Sequence, residues 1–168
     1  VKVSAVKPEH RVVRAQAVVV SDQQDLLALF NAGKIHKDLI AVVRYQGPRA
    51  NGMPELHSLA PLLGLLQNQG RRVALVTDGR LSGASGKIPA AIHLTPEAAR
   101  GGPIGKLREG DMIRLDAVAC TLQVMVDGDT RRPGSAVDFL RPPLSGRRLG
   151  IRRRIRAGPR PCGCRCAT

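Results

Sequence analysis

The segment Thr77-Asp78-Gly79-Arg80-Leu81-Ser82-Gly83-Ala84-Ser85-Gly86-Lys87 gathers hydroxyls, glycines and cations more densely than any other stretch outside the C-terminal tail. It follows the apolar run Val73–Val76, so it leaves a buried strand through glycines that let its amides and the hydroxyls of Thr77, Ser82 and Ser85 approach a ligand closely. That composition fits a ligand loop, set against the plainer alternative of a glycine-rich surface turn. It is not a P-loop, because the spacing would need a glycine where Leu81 stands and a Ser or Thr where Ile88 stands.

A second constellation is Arg44-Tyr45-Gln46-Gly47-Pro48 followed by Asn51-Gly52-Met53-Pro54-Glu55-Leu56-His57. The spacing of Leu56, Leu59, Leu62, Leu63 and Leu66 predicts a helix over Pro54–Gln69 with Gly70 as its stop, which puts Glu55 in the first turn. A carboxylate there is favoured by the helix dipole and is also suited to hold a divalent cation in a cleft; the alternative is a helix-end charge and nothing more. His36, His57 and His93 show no metal-like local spacing and read as solvated or core histidines.

The elements that must position these residues follow from pattern. Val1, Val3 and Ala5 alternate with polar residues, and Val12–Val20 is a β-branched run after the Pro8 turn. Ser21 or Asp22 caps a helix whose apolar face is Leu26, Leu27, Leu29 and Phe30 and which ends at Asn31 and Gly33. Asp38–Tyr45, with the near-continuous apolar run Leu39, Ile40, Val42 and Val43, and Val73–Val76 read as strands buried on both faces. Ile88–Leu94 reads as a further strand, Thr95-Pro96-Glu97 opens a short helix, and Met112–Leu115 with Thr121–Val126 form an antiparallel pair. Cys120, between those two strands, is expected to be a core thiol. Strands alternating with helices argue an α/β body.

At 168 residues the chain is about one domain long. A hydrophobic share of 43% with 24% charged residues excludes wholesale disorder and fibrous repeats. The longest aliphatic stretches fall short of the roughly 18 consecutive apolar residues of a membrane-spanning helix, and residues 1–10 carry no apolar signal core, so a cytoplasmic setting is expected. The net charge of +14 is unevenly shared: residues 1–130 contribute +4, whereas residues 131–168 hold 11 Arg against Asp138 alone and contribute +10. Phe139 is the one aromatic in that tail, a poor stacking platform for bases, so nucleic acid is an unfavoured partner. Cys162, Cys164 and Cys166 have one-residue spacings unlike zinc or iron–sulfur ligand patterns. The tail from residue 130 is expected to be irregular and foreign to the domain formed by residues 1–129.

The residues at 44–48, 51–55 and 77–98, together with Val3-Ser4-Ala5-Val6-Lys7-Pro8-Glu9-His10 and the Gly101-Gly102-Pro103-Ile104 and Gly110-Asp111 turns, closely resemble the C-terminal domain of the dihydroxyacid/phosphogluconate dehydratase family. The wording around Gln46–His57 and Ser82–His93 is similar to the phosphogluconate branch rather than the branched-chain amino-acid branch. The resemblance implies a swivelling β/β/α domain, a small barrel-like β-sheet flanked by helices. It implies a hydro-lyase of the Entner-Doudoroff pathway that converts 6-phospho-D-gluconate to 2-dehydro-3-deoxy-6-phosphogluconate.

Ser82 matches the family's proposed catalytic base and Glu55 its ligand to a divalent cation, Mg2+ or Mn2+. Charge type makes Lys87, Arg49 and Arg44 candidates to meet the substrate's phosphate or carboxylate, and Arg80 and Ser85 of the serine loop are further substrate-binding candidates. The family's 4Fe-4S iron-sulfur cluster takes its ligands from an N-terminal domain, the expected partner of this chain, and the full-length enzyme is expected to be a homodimer. Alone, the chain is expected to be inactive. The rival readings are a non-catalytic remnant, a nucleic-acid-binding module built on the basic tail, and a dehydratase of a related sugar acid or dihydroxyacid.

Overall fold

A computed structural model describes residues 1–3, 5–82 and 86–125. Six strands form one mixed sheet: β1 (Val12–Val20), β2 (Leu39–Val43), β3 (Val73–Thr77), β4 (Ala90–Ala91), β5 (Met112–Asp116) and β6 (Thr121–Met125). Their order is β4-β3-β2-β1-β5-β6; β1 to β4 run parallel, while β5 and β6 pair antiparallel. Helix α1 (Gln23–Asn31) connects β1 to β2, and α2 (Pro48–Asn51) and α3 (Leu59–Asn68) lie between β2 and β3. This is the expected barrel-like α/β arrangement, a sheet curled into a half-barrel.

Two cores explain the curl. On one face, Leu39, Ala41, Val43, Val73 and Leu75 pack under Leu26 of α1 and Leu59, Leu63 and Leu66 of α3. On the other, Val13, Ala15, Ile40, Val42 and Val76 meet Ile113, Leu115, Leu122 and Val124, closed by Ala98, Ile104 and Leu107. Strands β2 and β3 feed both cores, so every one of their residues is buried and their sequences read as continuous apolar runs. Strand β1 alternates Val13, Ala15 and Ala17 inward with Val12, Arg14 and Gln16 outward over its first half. Helix α1 starts where expected: Asp22 is extended and its Oδ1 accepts from the Gln24 amide at 2.9 Å.

Four local expectations are corrected. The helix foreseen over Pro54–Gln69 begins only at Leu59. The strand foreseen over Ile88–Leu94 shortens to Ala90–Ala91, its edge taken by Lys2, whose amide donates to Ala90 O at 2.7 Å. The short helix after Pro96 is a 3-10 turn over Ala98–Arg100 with Glu97, not Thr95, at its N-cap, and the Thr95–Pro96 peptide is cis. Cys120 is exposed rather than a core thiol: it sits at the β5–β6 turn with φ +53°, its thiol 3.7 Å from Ala117 O. The tail from residue 130, with Cys162, Cys164 and Cys166, lies outside the described residues. Among the described residues no helix is long and apolar enough to cross a membrane.

The same turn carries a titratable anchor. Asp116 is buried; its Oδ1 accepts from the Ala119 amide at 2.9 Å and the Val118 amide at 3.0 Å, and its Oδ2 lies 3.1 Å from Arg114 Nη2. The Ala119 bond foremost, then Val118 and Arg114, hold its carboxyl below the ordinary value of 3.8 against the opposing effect of burial. Its contribution is therefore fully present above the ordinary carboxylate range and lost as pH falls through the lowered value. Asp116→Asn is expected to be less stable at neutral pH and to lose less stability than the parent between about pH 5 and about pH 2, read by urea unfolding at each pH. Parallel pH curves would remove Asp116 from the acid limb.

Candidate functional site

Because β2 and β3 are adjacent and parallel, the loops after Val43 and Thr77 emerge side by side at the carboxyl end of the sheet, where open α/β sheets bind ligands. Asp78 joins them. Its side chain is almost fully buried; Oδ1 accepts from the Gln46 amide at 2.8 Å, and Oδ2 accepts from the amides of Tyr45 at 3.2 Å and Ala98 at 2.9 Å. One carboxylate thus ties the β2 loop to the 3-10 turn twenty residues downstream of itself. Gln46 extends the junction, with Nε2 donating to Ser21 O at 2.5 Å and Oε1 accepting from Asn51 Nδ2 at 3.0 Å. Gly79 lies against it, where a Cβ would fall 2.8 Å from the Gln46 Cβ.

Glu97 is the second buried carboxylate at this junction. Its Oε2 accepts from the Arg49 amide at 3.1 Å, and its Oε1 lies 3.5 Å from Arg100 Nε. The fit requires glycine at residue 47, because a Cβ there would sit 2.1 Å from Glu97 Oε2. Around this junction opens a cleft of about 710 Å³, whose walls include Arg49, Asp78, His93, Thr95, Glu97 and Arg100.

Glu55 does not sit on a helix. Gly52 and Met53 take left-handed conformations, φ +65° and +57°, and turn the chain into an extended segment. Glu55 there forms a parallel bridge with Arg80, and the Leu56 amide donates to Arg80 O at 3.2 Å. Leu56 is fully buried. It therefore belongs to the core, as its spacing indicated, but it arrives from a strand-like segment in front of α3. The Glu55 carboxylate has two different oxygens: Oε2 lies 3.7 Å from Arg80 Nη2, while Oε1 is buried without a hydrogen-bond partner among the described residues. A buried carboxylate oxygen lacking a donor is costly unless something positive meets it, so this oxygen fits a cation ligand. No group of three or more metal-ligating side chains occurs among the described residues, so Glu55 fits as one ligand of a larger set.

Two residues after Arg80, Ser82 is half-buried and its carbonyl accepts from Lys2 Nζ. The sheet register thus brings Glu55, Arg80 and Ser82 together, whereas the other candidates scatter. Arg49 lines the adjoining cleft. Lys87 is exposed on the α3 side, in a shallow pocket with Ala60, Gly64 and Asn68, and its carbonyl accepts from Gln67 Nε2 at 3.3 Å. Ser85 lies outside the described residues. Arg44 serves the fold: its Nη1 donates to Gly105 O and Leu107 O, each at 3.3 Å, and its guanidinium lies 5.5 Å from the Tyr45 ring centroid. Asp78, Gln46, Glu97 and Lys2 were not singled out by sequence reasoning. For Asp78 a signal existed, a carboxylate directly after a strand buried on both faces.

The dihydroxy-acid/6-phosphogluconate dehydratase C-terminal family matches residues 1–139. Phosphogluconate dehydratase of Pseudomonas aeruginosa is 63% identical over 126 residues, 75% of this chain and 21% of that protein. Phosphogluconate dehydratase of Rhizobium meliloti is 58% identical over 127 residues, 76% of this chain and 21% of its own length. That of Zymomonas mobilis is 52% identical over 143 residues, 84% of this chain and 24% of its length. The chain therefore spans about a fifth to a quarter of the curated relatives it matches.

Proposed function

The chain belongs to the dihydroxy-acid/6-phosphogluconate dehydratase C-terminal family, and from that premise we propose that it supplies the serine loop and one cation ligand of a phosphogluconate dehydratase. The observation that carries this reading is the bridge between Glu55 and Arg80, which sets a buried carboxylate oxygen, without a partner among the described residues, beside the segment leading to Ser82.

Dehydration of 6-phospho-D-gluconate removes the proton on C2 and the hydroxyl on C3; the resulting enol becomes the ketone of 2-dehydro-3-deoxy-6-phosphogluconate. Ser82 Oγ takes the C2 proton. A serine is basic enough only as its alkoxide, which needs positive charge and amide donors close by. Arg80 and the Lys2 ammonium provide charge on either side of the loop's first residues. Arg49, in the cleft beside the site, is placed to meet the anionic end of the substrate.

A divalent cation, Mg2+ or Mn2+, held in part by Glu55, supplies charge that acidifies the C2 proton. The described residues do not fit an iron–sulfur cluster, since Cys120 is the single cysteine among them. We assign the 4Fe-4S ligands to the portion of the relatives that this chain does not span. The reading carries with it an N-terminal dehydratase domain as partner, a homodimeric assembly, a cytoplasmic setting and a place in the Entner-Doudoroff pathway.

The test is a chimera in which this chain replaces the matching fifth of the Pseudomonas aeruginosa relative, assembled anaerobically with Mg2+ and assayed on 6-phosphogluconate. Turnover within about tenfold of the parent is expected, with none from the 168-residue chain alone. A folded, cluster-loaded chimera that leaves 6-phosphogluconate untouched but dehydrates another sugar acid or a dihydroxyacid would overturn the substrate assignment.

A further inference from the structure

We propose that Lys2 is a positioning residue for Ser82, its ammonium fastening the first residues of the serine loop to the edge of the sheet. The inference rests on the reading of Ser82 as the base. It starts from the N-terminal segment, which holds the loop at both of its described ends. Lys2 Nζ donates to the Ser82 carbonyl, and the Ala5 amide donates to the Gly86 carbonyl at 3.2 Å.

The segment is itself fixed. Lys2 pairs with Ala90 in both directions, N to O at 2.7 Å and O from N at 3.2 Å, so its backbone acts as a further edge beside β4. Val6 is buried, anchoring the other end. The origin of the Lys2 side chain is thus defined by sheet hydrogen bonds, and its length carries the charge to a carbonyl that belongs to the reactive residue.

Among long side chains lysine suits this contact. An ammonium is a compact donor that can satisfy a lone carbonyl, and a hydrogen bond from a charged donor is stronger than a neutral one. Small displacements of a catalytic group are costly to the rate of the chemical step, whereas substrate affinity set elsewhere in the site need not change.

The first test is hydrogen–deuterium exchange on the 168-residue chain, comparing the parent with Lys2→Met and Lys2→Arg. Lys2→Met is expected to speed exchange of residues 78–90 at least about tenfold while β2 exchanges as in the parent, and Lys2→Arg to restore most of the protection. Unchanged exchange at 78–90 overturns the proposal. Acceleration that spreads to β2 also overturns it, because the contact would then hold the fold rather than the loop.

The second test uses the active chimera. Lys2→Met is expected to lower kcat about 10- to 100-fold with KM within about threefold, and Lys2→Arg to recover most of kcat. A rise in KM at constant kcat would make Lys2 a substrate contact and overturn positioning. If Ser82→Ala leaves turnover intact, the base assignment fails, and the exchange result still decides whether Lys2 fastens the loop.

Discussion

Ser82→Ala in the assembled dehydratase is expected to lower kcat by about 10³-fold or more while KM stays within a few-fold, because it removes the group that takes the C2 proton. One contact that holds residue 82 in place is made by its backbone carbonyl, which accepts from Lys2, and that carbonyl survives the change to alanine. The neighbouring Arg80 remains engaged with Glu55 through both the ion pair and the backbone bridge. Steady-state rates on 6-phosphogluconate check the prediction, and a loss of less than about tenfold would hand the proton to another group.

The largest expected effect on stability is at Asp78. Asp78→Ala leaves the buried amides of Gln46 and Ala98, and the part-buried amide of Tyr45, without their acceptor. Each orphaned amide costs about 1 to 3 kcal/mol, so a loss of at least about 3 kcal/mol is expected, seen as a lowered urea midpoint at constant slope. Asp78→Asn should recover only part of it, since an amide side chain offers one acceptor oxygen and turns an N–H toward an N–H. A loss under about 1 kcal/mol for Asp78→Ala would mean that the two loops are held together by packing around Gly79 and Gly47 instead.

Much of this architecture was legible from pattern. Strands β1, β2 and β3 are legible within Val12–Val20, Asp38–Tyr45 and Val73–Val76 because the two cores they feed leave a plain signature of alternation or continuous burial. Asp22 read as a cap because capping is a contact with a residue two positions away. The β5–β6 pair was visible for the same local reason.

What escaped was set by contacts distant in sequence. Leu56 has helical spacing to Leu59 and Leu63, yet the backbone before Ser58 is spent on pairing with Arg80, and nothing near Glu55 announces that partner. Asp78 looks like part of a turn because its acceptor role toward residues 45, 46 and 98 exists only once the sheet has formed. Lys2 reads as a solvated charge until Ala90 is seen to fix its backbone. Cys120 was misjudged because lying between two strands is not the same as lying under them; the hairpin turn itself takes the left-handed conformation and faces water.

The central place of β1 has a consequence for how the chain is made. One of its edges pairs with β2, the next strand to be synthesised, through the register Val20↔Val43. Its other edge waits for β5, and Val13 meets Leu115 only when nearly all of the described chain has left the ribosome. Until then a nascent chain carries a parallel half-sheet with an unpaired border of Val12–Gln16, whose inward Val13 and Ala15 are still uncovered, a surface prone to capture by other extended chains. Closing so long a loop slows folding more than it costs in stability, so the hairpin that arrives last doubles as a molecular latch against aggregation during translation.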